Sequence, residues 1–218
     1  MIACARDWGV LPENFISPAK GIKKNRTPRR GRVLNADEIE RLGAALDRQV
    51  LVRPDPTDIV RLLLLTGCRH GEIRALRWKE VKRDRLMLSD SKTGPRQVLL
   101  GEPARKILNS RRRHRRPGLD HVFPHRRDPT QPRGPISSYW QMIRRQAGLP
   151  ADLRLHDLRH TYASHAVMQG ESLIITGRLL GHRHTGTTER YAHLTDHFLT
   201  EATERVADRI LSLLDPGN

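Results

Sequence analysis

Three stretches of this sequence place charged or nucleophilic side chains beside a glycine or a turn. A hydrophobic core alone would not require such side chains there. They are TGCRHGEIRALRW at 66–78, LRLHDLRHTYASH at 153–165 and LLGHRHTGTTERYAHL at 179–194. In the second stretch, His156 and Arg159 are three residues apart and share one face at the start of a helix. Backbone N–H groups at a helix start also favour an anion, so this face is a candidate phosphate site.

Arg69, in the first stretch, stands at the start of another predicted helix. Two guanidiniums at helix starts could together clamp the non-bridging oxygens of a phosphate. The alternative is that each arginine is exposed to solvent or pairs with a surface carboxylate, as most arginines do. The spacing therefore favours a phosphate site, and the alternative of ordinary surface arginines stays open.

The histidines raise the alternative of a metal site, because His156 and His160 have the i, i+4 spacing of some zinc ligands. No glutamate follows the first histidine as in a metalloprotease helix, and Arg159 between the two would repel a cation. We therefore expect no metal. His160 is expected to point to a different side of the helix from His156 and to have a structural or supporting role.

The chain is strongly basic, with 40 lysines and arginines against 24 acids and a net charge of +16. Two segments, 19–32 and 105–116, each hold seven bases and no acid. DNA or RNA is the natural partner of such a surface, although a solvated surface or a flexible linker would have the same composition. The candidate DNA contacts in these segments are Lys23, Lys24, Arg29, Arg30, Arg111, Arg112 and Arg113.

Membrane and secreted proteins are disfavoured classes. The longest unbroken aliphatic run, 62–65, is far shorter than the ~20 apolar residues of a membrane span. Arg6 and Asp7 stand where a secretory signal would need apolar residues, and Cys4 and Cys68 form no C-x-x-C pair. We expect a cytoplasmic protein without a disulfide framework.

Apolar periodicity predicts the elements that would position these residues. A capping box opens a first helix at Asn35, and a second helix follows breaks at Pro54 and Pro56. Short strands around turn signals predict a small antiparallel sheet near 80–100. Helical patterns return near 102–112, 136–147, 157–169, 172–180 and 196–214, the last with an apolar stripe of Leu199, Ala202, Val206, Ile210 and Leu213.

These patterns predict a mainly α protein with a small antiparallel β-sheet, an α+β fold. Residues 17–34 combine proline, glycine and bases without apolar periodicity, and they are predicted to form a basic linker. Residues 1–16 are too short for a domain, which leaves 35–218 as the principal domain.

Taken in order, the pattern resembles the tyrosine recombinase, or phage integrase, family. The residues that carry the resemblance are Thr66-Gly67-x-Arg69-x-x-Glu72, Lys92, His156-x-x-Arg159-His160, Leu180-Gly181-His182 and Tyr191. The resemblance covers about 33–196 and implies the fold of a DNA breaking and rejoining catalytic domain. Residues 1–16 would then be the last helix of an N-terminal core-binding domain. The chain is expected to be a fragment or a naturally short member.

The resemblance also implies how the strand would be cut. Tyr191 would attack the scissile phosphodiester, leaving a 3′-phosphotyrosine and a free 5′-hydroxyl. An unperturbed tyrosine has a pKa of ~10, so the phenol needs help at neutral pH, and His156 would supply it as a base. Lys92, in a strand turn, would protonate the departing 5′-oxygen as the general acid.

The remaining residues would stabilise the phosphate. By the resemblance, Arg69 and Arg159 would bind the non-bridging oxygens and the added negative charge of the transition state. His182 would donate a hydrogen bond to the phosphate, and Glu72 would orient the neighbouring arginine and histidine groups. The phosphotyrosine retains the bond energy, so rejoining needs neither ATP nor a metal, and no cofactor is expected.

The expected function is therefore site-specific recombination or integration of double-stranded DNA. The resemblance implies a tetrameric synapse in the full-length protein, with the helix at 196–214 either docking on a neighbouring protomer or packing on its own domain. Two alternatives stay open. One is a DNA-binding remnant without turnover, and the other is an enzyme similar to type IB topoisomerases that nicks and reseals one strand.

Overall fold

The computed structural model describes residues 5, 8–12, 15, 31–89, 94–182, 188–194, 203–204, 206–208 and 210–211. The chain divides into two units, Met1–Arg30 and Gly31–Asn218. In the first unit, the backbone amides of Val10 and Leu11 donate to the carbonyl oxygen of Ala5. Most of the predicted linker lies outside the described residues, so its boundaries stay predictions.

The described part of the second unit is mainly helical, with a hairpin between its third and fourth helices. The helices are α1 Ala36–Asp47, α2 Pro54–Thr66, α3 His70–Arg74, α4 Glu102–Arg113, α5 Ser137–Gln146, α6 Asp157–Met168 and α7 Leu173–Leu180. The strands are β1 Arg85–Leu88 and β2 Arg96–Leu99, and 3-10 turns cover Trp78–Glu80 and Glu189–Leu194. The predicted α+β fold with a small antiparallel sheet is confirmed.

Helix α1 begins at the capping box that the sequence predicts. The Asn35 side chain accepts a hydrogen bond from the Glu38 amide, and the Glu38 carboxylate accepts one from the Asn35 amide. Just before this cap, the amide of buried Leu34 donates to Thr161 Oγ1, and the Leu34 carbonyl oxygen lies 3.1 Å from His165 Nε2. These bonds attach the start of the unit to helix α6.

Helix α2 packs against α3, α4 and α6. The expectation that Pro54 and Pro56 are breaks ahead of it is wrong, because the helix begins at Pro54. Proline is tolerated in a first helical turn, since its missing N–H would have no partner there. The helix ends at Gly67, which has a φ of +62°, and an added Cβ would lie 2.5 Å from Tyr162 Cδ1. Glycine therefore allows α6 to approach the end of α2.

The hairpin is antiparallel, with Leu86 opposite Val98 and Leu88 opposite Arg96. Leu86, Leu88 and Val98 are buried in the main core. Because side chains alternate along a strand, Arg96 lies on the same inward face as Val98. The predicted turn at 92–95 lies partly outside the described residues.

Helix α6 runs through the interior although much of it is polar. Its buried polar residues are Asp157, Arg159, His160, Thr161 and Ser164. A charge or a hydroxyl is tolerated in the interior when hydrogen-bond partners compensate for lost water. The sequence of α6 therefore requires polar groups on the elements around it.

The described residues between 203 and 211 are helical, as predicted for the C-terminal segment. Val206 and Ile210 keep 58% and 53% of their surface exposed. The other members of the predicted apolar stripe lie outside the described residues: Leu199, Ala202 and Leu213. Among the helices that the structure describes, none is long and apolar enough to cross a membrane.

Candidate active site

Arg69 is the N-cap of helix α3, where the sequence predicts it. Its amide donates to Glu72 Oε2 at 2.7 Å, and its Nη1 donates to Glu72 Oε1 at 2.9 Å. The Arg69 side chain keeps 24% of its surface exposed. Part of this side chain is therefore open to a ligand while the carboxylate holds the rest.

Glu72 is shared between two arginines. Besides Arg69, Arg96 donates to it, from Nη2 to Oε2 at 2.7 Å and from Nε to Oε1 at 3.2 Å. Burial alone would raise the pKa of Glu72, but the hydrogen bonds and charge of Arg96, together with the bonds from Arg69, lower it to about 2. Glu72 is therefore ionised and contacts both arginines, and its role in orienting arginine and histidine groups stays a prediction.

Arg159 is buried in α6, with 4% of its surface exposed. Its Nη1 donates to the Gly67 carbonyl oxygen at 2.6 Å, and its Nη2 donates to the Leu180 carbonyl oxygen at 2.8 Å. These carbonyls lie at the C-terminal ends of α2 and α7, where helix dipoles favour a cation. Burial, followed by the charges of Arg69 and Arg96, lowers the pKa of Arg159 to about 10, so it stays protonated at neutral pH.

Arg96 is a buried member of the site that the sequence reasoning does not single out. Its side chain is 8% exposed, its Nη1 donates to the Leu180 carbonyl oxygen at 3.0 Å, and its Nη2 lies 3.8 Å from Cys68 Sγ. The alternation of residues along the strand could have identified Arg96 as an inward-facing residue. Arg96 stands two residues before buried Val98 on the inward face of β2, and a buried arginine needs partners.

The cluster carries more positive than negative charge. Besides burial, the charges of Arg69 and Arg96 lie close enough to Arg159 to lower its pKa. Of the described carboxylates, the one that these guanidiniums contact is Glu72. Guanidiniums in such excess attract an anion, and their fork geometry suits a phosphate.

His156 is the N-cap of α6. Partial burial, followed by the charge of Arg159, lowers its pKa below the usual range of histidine. The neutral imidazole that results can accept a proton, as the predicted base must. The rings of His156 and His160 meet edge to face, with their centroids 5.0 Å apart. The expectation that they point to different sides of the helix is therefore wrong, because residues i and i+4 are neighbours on a helix surface.

Tyr191 contacts His160 directly. Nδ1 of His160 lies 2.7 Å from the hydroxyl oxygen of Tyr191. The tyrosine is 5% exposed and packs with Ala163, Val167 and Leu180 in a small core apart from the main one. In the tautomer whose Nδ1 carries no proton, the phenol donates this hydrogen bond and can transfer its proton to the imidazole.

His182 follows Gly181, the left-handed residue that ends α7. Its Nδ1 lies 2.9 Å from the hydroxyl oxygen of buried Thr188. An added Cβ on Gly177 would lie 2.9 Å from the same oxygen, so this glycine makes room for Thr188. A partner at Nδ1 fixes the orientation of an imidazole. The sequence reasoning does not identify Thr188, and its polar type alone carries no signal for this contact.

Some predicted residues lie outside the described residues, and their roles stay predictions. Lys92, the predicted general acid, is one of them. The candidate DNA contacts among them are Lys23, Lys24, Arg29 and Arg30. Within the part of the chain that is described, no group of three or more His, Cys, Asp or Glu residues could hold a metal ion.

The other candidate DNA contacts lie at the end of α4 and differ from one another. Arg111 forms ion pairs with Asp55 and Asp58 of α2. Arg112 donates to a backbone carbonyl oxygen at 3.0 Å and lies over an aromatic ring at 5.6 Å. Arg113 is exposed. A DNA contact stays a prediction for all three, but the charge of Arg111 is already paired inside the protein.

Known proteins are similar to this chain over most of its length. The integrase of Escherichia phage P2 is 32% identical over 188 residues, which cover 85% of this chain and 50% of that protein. The crystal structure of XerA recombinase superimposes with a TM-score of 0.64 at 27% identity, covering 82% of this chain and 66% of that one. The catalytic domain of bacteriophage HP1 integrase gives a TM-score of 0.60 at 27% identity, covering 80% and 94%.

The chain spans about half the length of the curated relatives it matches, 50% for the P2 integrase. The profile of the phage integrase family matches residues 32–197, a range that contains the whole described cluster from Arg69 to Tyr191. The chain therefore belongs to the phage integrase family, and its fold is that of a tyrosine recombinase catalytic domain.

Proposed function

We propose that this chain is the catalytic part of a site-specific DNA recombinase or integrase that cuts and rejoins strands through a 3′-phosphotyrosine. The observation that carries the proposal is the 2.7 Å hydrogen bond between the Tyr191 hydroxyl and His160, on the helix that also holds Arg159. Phosphoryl transfer to a tyrosine needs an activated phenol beside fixed positive charge. Membership of the phage integrase family supports the same reaction.

In the proposed cleavage step, the Tyr191 oxygen bonds to phosphorus as the bond from phosphorus to the 5′-oxygen breaks. The phenolic proton passes to an imidazole. His160 is in hydrogen-bond contact with the phenol, and the ring of His156, the base proposed from the sequence, lies beside it. Lys92 gives a proton to the 5′-oxygen in this scheme. When a 5′-hydroxyl attacks the phosphotyrosine, the same steps run in reverse, so neither ATP nor another cofactor is consumed.

Arg69 and Arg159 are proposed to bind the non-bridging oxygens of the scissile phosphate, and His182 to add a hydrogen bond. The fixed position of Arg159 between the Gly67 and Leu180 carbonyls supports this role. Charge builds up on these oxygens in the transition state, so preorganised donors stabilise it more than the ground state. Each such donor contributes about 3 kcal/mol in comparable sites.

Double-stranded DNA is the proposed partner, in keeping with the net charge of +16. We also propose that the full-length protein assembles as a tetramer on DNA, in part through the C-terminal helix. The exposed Val206 and Ile210 on that helix support a docking face, because apolar surface left in water favours association. The proposal keeps the cytoplasmic location expected from the sequence.

The test is to trap the covalent intermediate. The chain is incubated with a pool of random-sequence DNA duplexes, each nicked near its centre so that the short 5′-hydroxyl strand diffuses away after cleavage. We expect an adduct that survives denaturing detergent, with a nucleotide on Tyr191 in the tryptic peptide. Wild-type protein that forms no adduct on any sequence would overturn the proposal, and an equal adduct from Tyr191→Phe would overturn the choice of nucleophile.

The two alternatives give different results in related assays. A DNA-binding remnant would retard the duplexes in a gel without forming an adduct. An enzyme similar to type IB topoisomerases would relax a supercoiled plasmid that lacks the sequence enriched in the adduct pool. The recombinases and integrases among the relatives support the proposed function over both alternatives.

A further inference from the structure

Arg96 has its hydrogen-bonding groups occupied by the protein. Its Nε and Nη2 donate to Glu72, its Nη1 donates to the Leu180 carbonyl oxygen, and its Nη2 lies beside Cys68 Sγ. An added Cβ on Gly181 would lie 2.5 Å from Arg96 Nη1 and 2.6 Å from its Cδ. All three guanidinium nitrogens of Arg96 are therefore bonded to the protein, which leaves it little capacity for a phosphate. The bonds of Arg159 use Nη1 and Nη2, and that of Arg69 uses Nη1.

The partners of Arg96 are also the partners of the two proposed phosphate-binding arginines. Glu72 accepts from Arg96 and from Arg69. The Leu180 carbonyl oxygen accepts from Arg96 at 3.0 Å and from Arg159 at 2.8 Å. Arg96 is therefore the link through which Glu72 and the end of α7 are joined.

The charge of Arg96 limits how strongly Glu72 can hold Arg69. With Arg96 present, both Glu72 oxygens are shared: Oε1 accepts from Arg69 Nη1 and Arg96 Nε, and Oε2 accepts from the Arg69 amide and Arg96 Nη2. Without Arg96, the charge of Glu72 would act on the Arg69 guanidinium without a competing one, and would hold it more tightly. A guanidinium paired in this way has fewer N–H groups and less net charge to offer a phosphate.

We infer that Arg96 is a positioning residue for the phosphate site. It shares Glu72 with Arg69 and the Leu180 carbonyl oxygen with Arg159, and so sets the geometry in which both arginines meet the scissile phosphate. This inference rests on the proposed function. Arg96 itself does not contact DNA.

The main variant is Arg96→Met, which keeps the length of the side chain and removes its charge. The control is Arg85→Met, since Arg85 lies on the partner strand of the same hairpin and pairs with exposed Asp84. Cleavage is measured in a single turnover on the nicked duplex selected by wild-type protein. We expect Arg96→Met to lower the rate about 10- to 100-fold, as loss of a residue that orients a ligand-binding group does. The dissociation constant for DNA should change less than about 3-fold, because Arg96 itself contacts no phosphate in this proposal.

A second substrate separates positioning from general damage. It carries an uncharged methylphosphonate at the scissile position, so its transition state has one negative charge fewer to stabilise. We expect the rate deficit of Arg96→Met to shrink by about 10-fold on this substrate, because the displaced guanidiniums matter less there. Arg96→Lys should recover part of the rate, since an ammonium restores the charge but cannot reach all the acceptors.

Three results would overturn the inference. Arg96→Met could cleave both substrates at the wild-type rate, or slow both by the same factor, as a fold defect would. It could also weaken DNA binding and reduce the salt dependence by about one phosphate contact, which would make Arg96 a DNA ligand. If Arg96→Met does not fold, Arg96→Lys is judged by the same criteria. Wild-type protein that forms no adduct contradicts the proposed function instead.

Discussion

The hydroxyl oxygen of Tyr191 lies 2.7 Å from Nδ1 of His160, and both side chains are buried. The ring of His156 meets that of His160 edge to face, with centroids 5.0 Å apart. The phenol is thus held in a fixed position by an imidazole that belongs to the same helix as the buried Arg159.

The Tyr191→Phe variant should form no covalent adduct while it keeps its affinity for DNA. The phenyl ring fills the same space in the small core, and the missing hydroxyl leaves His160 without this hydrogen bond. The free energy of unfolding should therefore fall by about 1 kcal/mol. Denaturant unfolding and the trapping assay measure the two effects. A large loss of stability would mean that the hydroxyl is mainly structural.

The cleavage rate should depend on pH through His156. Its pKa lies below the usual range, chiefly because of burial and then because of Arg159. The neutral base is therefore fully formed above its lowered pKa and lost as pH falls through it, so the acid limb of kcat/KM should lie below about pH 6.5. A pH profile at low DNA concentration checks this.

The histidine variants serve as the control for that profile. His156→Ala should remove the acid limb if His156 is the base. If the limb survives in His156→Ala and disappears in His160→Ala, the imidazole in contact with Tyr191 is the proton acceptor instead. An acid limb at or above the ordinary histidine range in the wild type would contradict the lowered pKa.

Glu72→Gln should destabilise the protein most at neutral pH. The pKa of Glu72 is lowered from 4.5 to about 2, so its ionised form stabilises the fold above the unfolded value. That contribution is lost as pH falls from about 4.5 to about 2, and it amounts to about 3 kcal/mol at most. Urea unfolding at several pH values measures it.

The exposed pair of Glu102 and Lys106 supplies the matched control. Glu102→Gln should change the free energy of unfolding by less than about 1 kcal/mol at any pH, because surface ion pairs contribute little. A difference between wild type and Glu72→Gln that does not shrink on acidification would contradict the lowered pKa.

Thr188→Val should slow cleavage about 10-fold without changing DNA affinity, because His182 loses the hydroxyl that holds its Nδ1. Gly177→Ala should have a similar effect by crowding the same hydroxyl. The control is Gly43→Ala, since a Cβ there meets nothing within 4 Å in helix α1. It should leave cleavage unchanged and stabilise the helix by about 0.5–1 kcal/mol. Equal cleavage rates for Thr188→Val and wild type would show that the Thr188 hydroxyl does not assist His182 in cleavage.

Arg111 and Arg113 should respond oppositely to substitution by methionine. Arg111→Met breaks partly buried ion pairs with Asp55 and Asp58 and should lower stability with little change in the salt dependence of DNA binding. Arg113→Met removes an exposed charge, so it should keep stability and reduce the salt slope by about one. DNA-binding titrations between low and moderate salt distinguish the two variants. If the salt slope changed with Arg111→Met and not with Arg113→Met, Arg111 would be the DNA contact instead of Arg113.

Local sequence patterns determined many of the helices and strands of this protein and the places of some site residues on them. The capping box at Asn35, the apolar periodicity of α2 and the alternation of β1 and β2 predict elements that the structure contains. Arg69 and His156 stand at helix starts, as their places in the motifs predict. These features depend on neighbours within a few residues, and that information is present in the sequence itself.

The tertiary structure decided which distant groups meet. Arg96 reaches Glu72, 24 positions away, and the Leu180 carbonyl oxygen, 84 positions away. His160 and Tyr191 are 31 positions apart. Periodicity predicts which face of a helix or strand a side chain occupies. It does not predict which residues of other elements pack against that face. Those partners are set when the elements pack and each buried polar group must find a hydrogen bond, which is a property of the whole fold.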